Sequence, residues 1–522
     1  MTKQKSTFVK GAMILAIANL FVKIIGAGFK IPLTWLIGDE GMGLFSLAFN
    51  LYALMFTITT AGFPIAISKM IAESLAKENE KEAKRIFVIS LIVLGILGGI
   101  GSAVLYFGAH SIAELFIKDS RVAIGIMAIS PAVLFVAIAA SFRGYFQGRK
   151  NMVPTALANI MEAIGKLVIG YIAAFFMLRL GMELASISAG ALYGVSFGTA
   201  LAALLLFCLF LWQKRKAKPT SLQNKPNTRT WLSLAKELFI IAIPITLGAC
   251  IQSLISTVDT LSITSRLQLI PGIDVNMAST MFGAYTTKAV TIFGLPLAIF
   301  GAFAIALVPT IASAIEKDDL NGAKRATNQI LRMTSLFAVP CAVGVWALAE
   351  PILQTIYGIN NIPDYAPGLL KIISLSIFLS AFVSVPSAIL QAYGKLRLPV
   401  IFMIIGGIVK LAINWNLLPI WGISAAPVAT NVCYFIIAAL NLIAVALVVK
   451  IKFDIMGTLV KPLIASAFLA IVAIQSYSFI QSLIGVRLAC LAAIALAGIA
   501  YLVILILTKG ISKEDFAMIK KN

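Results

Sequence analysis

The chain alternates between long apolar runs and short clusters of charge, glycine and proline, and this pattern fills it from end to end. Crossing a hydrocarbon core of about 30 Å takes roughly 20 helical residues, and most of the runs reach or exceed that length. They predict about fourteen helices, near 8–36, 42–74, 86–109, 122–146, 155–178, 184–213, 236–265, 280–314, 325–347, 367–393, 397–418, 423–450, 457–480 and 485–508. Several runs exceed a single span, so their ends are expected to project as amphipathic extensions; KMIAESLAKENEKEAKR, Lys69 to Arg85, reads as one.

The fold class this implies is an all-α polytopic membrane protein. Composition agrees: with 60% hydrophobic and 12% charged residues, a water-soluble chain would have to expose extensive apolar surface. The first run follows Lys3, Lys5 and Lys10 with no short apolar core ending in a small-residue cleavage site, so it reads as a retained helix.

Charge then sets the topology. Lys and Arg concentrate in short loops on the cytoplasmic side, and a cytoplasmic N-terminus places 31 of the 42 basic residues on that side. The outer side receives Lys118, Arg121, Arg179, Arg266 and Arg487. This alternation implies an even helix count, cytoplasmic termini and a location in the cytoplasmic membrane. The formal net charge of +21 is therefore mostly topology, and no nucleic-acid partner is expected. WQKRKAKPTSLQNKPNTR, Trp212 to Arg229, reads as a basic linker between two halves.

Those halves repeat. At an offset near 244, FQGRKNMVPTALANIMEAIGK lies over LQAYGKLRLPVIFMIIGGIVK, with Gln147 on Gln391 and Lys166 on Lys410, and Pro154 within one position of Pro399. GFPIAISKMIAESL likewise resembles LVPTIASAIE, with Pro64 over Pro309. The organisation expected is an N-terminal lobe of six helices (1–213), a cytoplasmic linker (214–235), a second six-helix lobe (236–450) and a C-terminal helix pair with a short tail (451–522). Parallel repeats of this kind are a transporter architecture with the substrate site between the halves.

Six lysines fall inside the predicted spans: Lys23, Lys30, Lys166, Lys288, Lys371 and Lys410. Seven residues turn a helix through about 700°, so Lys23 and Lys30 share a face. Each charge would cost about 2.5 kcal/mol or more at the bilayer centre, so it must meet water, a partner or an anion unless it snorkels from a helix end. Glu162 and Lys166 stand four residues apart with the acid first, a spacing that favours an ion pair. Asp259 is the clearest acid of the second half, placed to neutralise Lys288 or to bind a coupling cation such as Na+ or H+. A cavity with this cationic balance favours an anionic substrate, for which ammonium groups serve as point-charge partners of phosphate.

Other chemistry finds little support. No nucleotide-binding P-loop, metalloprotease or nucleophile-elbow motif occurs, so no catalytic residue, resident cofactor or enzymatic activity is expected. The lone His110 and the five widely spaced cysteines (Cys208, Cys250, Cys341, Cys433 and Cys490) match no metal-ligand spacing. Buried, reduced thiols and a surface or interface histidine are expected instead.

The stretches VKIIGAGFK, IGDEGMGLF, GFPIAISK, SFRGYFQGRKNMVPTALANIMEAIGK, IALVPTIASAI and ILQAYGK together resemble the polysaccharide-transporter branch of the MOP exporter superfamily, the branch to which lipid II flippases of Gram-positive bacteria belong. The resemblance covers nearly the whole chain. It implies fourteen helices, two lobes that alternate access, and export of an undecaprenyl-diphosphate-linked oligosaccharide, with membrane lipids around it and cell-envelope synthesis proteins as further partners. It also implies that Lys23, Lys30 and Lys288 stand where the family carries basic cavity residues, to hold the diphosphate. Glu162, Lys166, Asp259 and Lys410 would support them. Arg143, Gln147, Gly148, Pro154, Pro64 and Pro309 belong to motifs read as gate or structural elements. Two competitors share the architecture: an organic-cation antiporter, which would want an essential acid in the first lobe, and a non-transporting scaffold of envelope assembly.

Overall fold

A computed structural model describes residues 2–216, 229–297, 311, 315, 318–451, 454–508 and 510. Among them ten helical stretches are long and apolar enough to cross a membrane, and no strand occurs. Pro309 and most of the linker, 217–228, lie outside the described residues, as does the side chain of Lys23.

The chain forms two compact units, Met1–Gly283 and Ala284–Asn522. The first contains α1 (Thr2–Thr60), α2 (Phe63–Ala76), α3 (Glu80–Phe107), α4 (Val122–Gly148), α5 (Val153–Arg179), α6 (Leu184–Lys216), α7 (Trp231–Leu267) and all but the last residue of α8 (Val275–Ala284). Helices α7 and α8 follow the linker in sequence, yet α7 packs on α1, α2 and α3, so the compact unit extends beyond the six-helix lobe drawn from the repeat.

Several boundaries differ from the hydropathy pattern, each for a local reason. The apolar run 42–74 is not one helix. Residues 42–60 continue α1, whose backbone breaks earlier at Gly38 (φ 67°), a left-handed conformation that suits glycine. Pro64 then sits in the first turn of α2, where its missing N–H costs nothing. The stretch Lys69 to Arg85 is not one amphipathic extension either. Helix α2 ends at Ala76, Glu78 turns the chain at φ 57°, and the Asn79 side chain accepts from the Glu82 N–H at 3.0 Å to start α3.

The second unit continues through a π-helical turn, Tyr285–Val290, to α9 (Leu320–Ala347), α10 (Ala349–Tyr357), α11 (Ala366–Ala392), α12 (Arg397–Trp421), α13 (Ala425–Val449), α14 (Lys461–Ile484) and α15 (Val486–Leu507). The two units repeat one pairing order. In the first, α3 packs on α4, α4 on α6 and α5 on α6; in the second, α9 packs on α11, α11 on α13 and α12 on α13. Helices α14 and α15 add a separate apolar cluster around Leu469, Ala473, Ala497 and Tyr501, and the Tyr501 hydroxyl donates to the Leu336 carbonyl at 2.7 Å.

The contact that matters most for the cavity is the seam between α5 and α6. A Cβ at Gly198 would lie 2.7 Å from the Glu162 carbonyl oxygen and 2.9 Å from the Lys166 nitrogen, and one at Gly165 would lie 2.7 Å from the Gly198 Cα. Small residues allow membrane helices to approach this closely without any hydrophobic driving force between them. The same backbone turn of α5 carries the Glu162 and Lys166 side chains. Gly198→Leu is therefore expected to destabilise the protein by about 1–3 kcal/mol through overpacking, read as a lower melting temperature in detergent. An unchanged melting temperature would show that α5 and α6 do not depend on the seam.

Candidate functional site

A cavity of about 380 Å³ lies within the first unit, walled by α1, α4, α5 and α6. One wall is aromatic. Phe45, Phe49, Tyr52 and Phe56 recur along α1 with successive ring centroids 5.6, 5.8 and 5.9 Å apart, and the last three of them line the cavity together with Phe29. The other wall is charged, with Arg143 from α4 and Asn159, Glu162 and Lys166 from α5.

Arg143 Nη2 donates to Glu162 Oε2 at 2.8 Å, and the two side chains are 8% and 21% exposed. So the i,i+4 spacing of Glu162 and Lys166 does not produce the closest pair: the carboxylate turns to α4 instead. The Lys166 ammonium lies 4.2 Å from the Phe49 ring centroid and 5.3 Å from that of Phe29. Ring faces attract a cation, though more weakly than a carboxylate does. Lys30 is half-buried on α1.

Two polar atoms at this wall, the Tyr52 hydroxyl and Arg143 Nε, are buried without a hydrogen-bond partner. Tyr52 as a residue is 3% exposed. Buried polar groups are nearly always satisfied, so two such groups on residues that line one cavity with Lys166 describe a place with spare hydrogen-bonding capacity.

The remaining residues singled out by sequence fall elsewhere. Gly148 of the RGYFQG stretch lets α4 lie against Ile71 and Ser68 of α2, and Gly144 likewise faces Ile67. Pro154 stands in the first turn of α5, Gln147 is half-buried nearby, and Pro64 starts α2. Gly144 and Gly148 build the α2–α4 contact beside Arg143. Asp259 is buried on α7 in the first unit. In the second unit Lys288 is 1% exposed within the π-helical turn, with its ammonium 5.8 Å from the Tyr357 ring centroid; the Tyr357 hydroxyl donates to the Thr287 carbonyl at 2.7 Å. Lys410 is 1% exposed on α12. Four cysteines are at least partly buried, but Cys208 is exposed because it faces outward from α6.

Sequence reasoning did not single out Tyr52 or Phe49. The signal was present in the spacing of aromatics on one face of α1, but an aromatic stripe at helical spacing reads equally as core. It also passed over a cluster at the end of the unit that it assigns to the outer side. There Arg121 Nε and Nη2 donate to the two Asp119 oxygens at 2.9 and 2.7 Å, Nη1 donates to Glu40 at 2.6 Å, and the Ser279 hydroxyl donates to Asp119 at 2.8 Å. This network ties α1, the start of α4 and α8 together. The Asp119 carboxylate, with Glu40 behind it, raises the Arg121 pKa above its ordinary value.

Comparison with known proteins is decisive on the family. The profile of the family described as polysaccharide biosynthesis protein matches residues 8–315, more than half of the chain. The chain belongs to this family, within the MOP exporter superfamily. The profile of the MatE family, a second one in that superfamily, matches residues 268–416. Among relatives of this polysaccharide biosynthesis family member, stage V sporulation protein B of Bacillus subtilis is 29% identical over 86% of each chain. Lipid II flippase MurJ of the same organism is 26% identical over 82% of this chain and 80% of its own. A solved lipid II flippase MurJ in an inward closed conformation superposes with a TM-score of 0.70 at 15% identity, covering 95% of this chain and 99% of that one. An inward-facing multidrug resistance MATE transporter gives a TM-score of 0.66 at 14% identity, covering 83% and 98%. The chain is thus a multi-pass membrane protein with the fold of MOP-superfamily flippases and transporters.

Removing one partner of a buried ion pair strands the other charge at a cost of up to about 3–5 kcal/mol. Arg143→Met is therefore expected to lower the melting temperature in detergent more than the double substitution Arg143→Met/Glu162→Gln. A double variant as unstable as the sum of the two single variants would show that the pair carries no coupling.

Proposed function

We propose that this protein is a flippase that carries an anionic polyprenyl-diphosphate-linked sugar, lipid II or a related cell-wall or polysaccharide precursor, across the cytoplasmic membrane by alternating access. The observation that carries the reading is the charge balance of the first-unit cavity: Arg143 and Glu162 neutralise each other, and the Lys166 ammonium is left over. The name borne by one relative, a lipid II flippase, supports the same substrate class.

In this reading the lobes open inward and admit the headgroup, with the diphosphate held by Lys23, Lys30 and Lys288 while the polyprenyl tail stays among the membrane lipids. Glu162, Lys166, Asp259 and Lys410 tune that field. The lobes are those of the sequence repeat, with the helix pair α14–α15 beside the tail and both termini cytoplasmic. No covalent bond is broken. Turnover draws on an ion gradient, of Na+ or H+, or on consumption of the flipped product by envelope synthesis proteins. Binding must favour the anion enough to offset its desolvation, yet leave it able to dissociate on the far side.

The MatE match over 268–416 and the likeness to multidrug transporters favour a second reading, antiport of organic cations. It needs an acid free to exchange a proton or a cation in the first lobe, and Glu162 is instead engaged by Arg143.

The two readings separate in proteoliposomes. A fluorescent undecaprenyl-diphosphate-sugar is expected to be flipped by the wild type, and roughly tenfold more slowly or worse by Lys23→Ala, Lys30→Ala and Lys288→Ala, the size expected from losing one charge-assisted contact. Equal rates in all variants would remove the lysines from the mechanism. Transport of an organic cation with no flipping of the lipid would favour the antiporter.

A further inference from the structure

We propose that a phosphoryl oxyanion of the transported headgroup docks inside the first unit itself, on the Lys166 ammonium, Arg143 Nε and the Tyr52 hydroxyl. The inference rests on the flippase reading and adds a site to it that lies on α1, α4 and α5.

Three observations converge there. First, the cavity of about 380 Å³ lies within the size range of small-ligand pockets, and all three residues line it. Second, its unsatisfied groups are donors. Arg143 Nε and the Tyr52 hydroxyl are buried without partners, although Arg143 is engaged through Nη2. Third, the Lys166 ammonium lies against the faces of Phe49 and Phe29, and among the described residues no carboxylate lies within 4.0 Å of it. A cation resting on rings keeps its hydrogens available for an anion.

Phosphoryl chemistry fits this set. The diphosphate diester of a lipid-linked sugar presents several acceptor oxygens and no donor at neutral pH, so one group can accept from an ammonium, a guanidinium edge and a phenol at once. Glu162 opposes an anion, but its oxygen is neutralised by Arg143. An organic cation would leave every one of these donors unmet. The aromatic face of α1 gives the adjoining sugar an apolar surface to lie on. Lys23, Lys30 and Lys288 then hold the diphosphate at one stage of transport, and the first-unit cavity offers a phosphoryl oxyanion a further seat.

The test measures binding separately from transport. Purified full-length protein in detergent is titrated with undecaprenyl diphosphate, with free inorganic diphosphate and with neutral undecaprenol, and bound ligand is followed by native mass spectrometry. The wild type is expected to bind undecaprenyl diphosphate and to ignore undecaprenol. Lys166→Met should weaken binding about tenfold or more, Tyr52→Phe several-fold, and Lys166→Arg should stay close to the wild type because charge and donors are retained. Binding of free diphosphate that depends on Lys166 would show that the phosphoryl group alone is read, and binding of the lipid alone would show that the tail is needed; both support the site. Tyr52→Phe removes a single oxygen and carries the test if Lys166→Met fails to fold. Unchanged binding in both Lys166→Met and Tyr52→Phe, with the wild type active in flipping, overturns this site and leaves the flippase reading standing. A wild type that neither binds nor flips overturns both.

Discussion

A charge in the hydrocarbon region costs several kcal/mol unless protein surrounds it with partners or water, and the first unit is organised around meeting that requirement once. Arg143 on α4 and Glu162 on α5 satisfy each other at 2.8 Å. For this the two helices must reach a common wall, and other features supply the reach. Gly144 and Gly148 let α4 settle on α2, and Gly165 and Gly198 let α5 settle on α6. The aromatic side of α1 closes the remaining wall. Lys166, carried one turn beyond Glu162, is then placed in the cavity by the same helix that positions the acid.

The second unit repeats the helix pairing but not this chemistry. At the repeat offset, Arg143 falls on Ser387 and Glu162 on Gly406. Ser387 accepts from the Asn441 side chain at 3.0 Å, and Gly406 faces Ile437 across α12 and α13. A neutral hydrogen bond and an apolar contact thus stand where the first unit has an ion pair and a cavity wall. Lys410 retains the position of Lys166 and is almost fully buried. Two copies of one helical framework thus carry different chemistry at the positions of the first unit's ion pair.

The ends of the first unit are secured by charge as well, where water is near and the cost is lower. At one end Arg121 binds Asp119 and Glu40. At the other Arg229, at the end of the linker, pairs with Glu237 at 2.8 Å, Arg149 pairs with Glu80, and the Arg85 guanidinium lies 5.3 Å from the Trp231 ring centroid. Surface pairs contribute little stability singly, but Arg121–Glu40 and Arg149–Glu80 join segments far apart in sequence, and the Arg85–Trp231 contact links α3 to α7. The unit that encloses the cavity therefore includes a helix that sequence alone assigns to the other half.

Hydropathy and charge by themselves determined that this is a polytopic helical protein, where most of its helices begin and end, and that it contains a repeat, because lipid solvation and the helical period act on local composition. The family resemblance, too, was legible in short motifs such as RGYFQG. Tertiary structure alone decided which charges meet. The i,i+4 spacing of Glu162 and Lys166 is a local preference worth a few tenths of a kcal/mol, and it yields to Arg143, nineteen residues away on a neighbouring helix. Tyr52 could not be told from an ordinary core aromatic until its hydroxyl was found at the cavity wall without a partner. Partner choice for a buried charge depends on which helix faces turn toward each other, and that is set by glycine seams and crossings that no single stretch of sequence encodes.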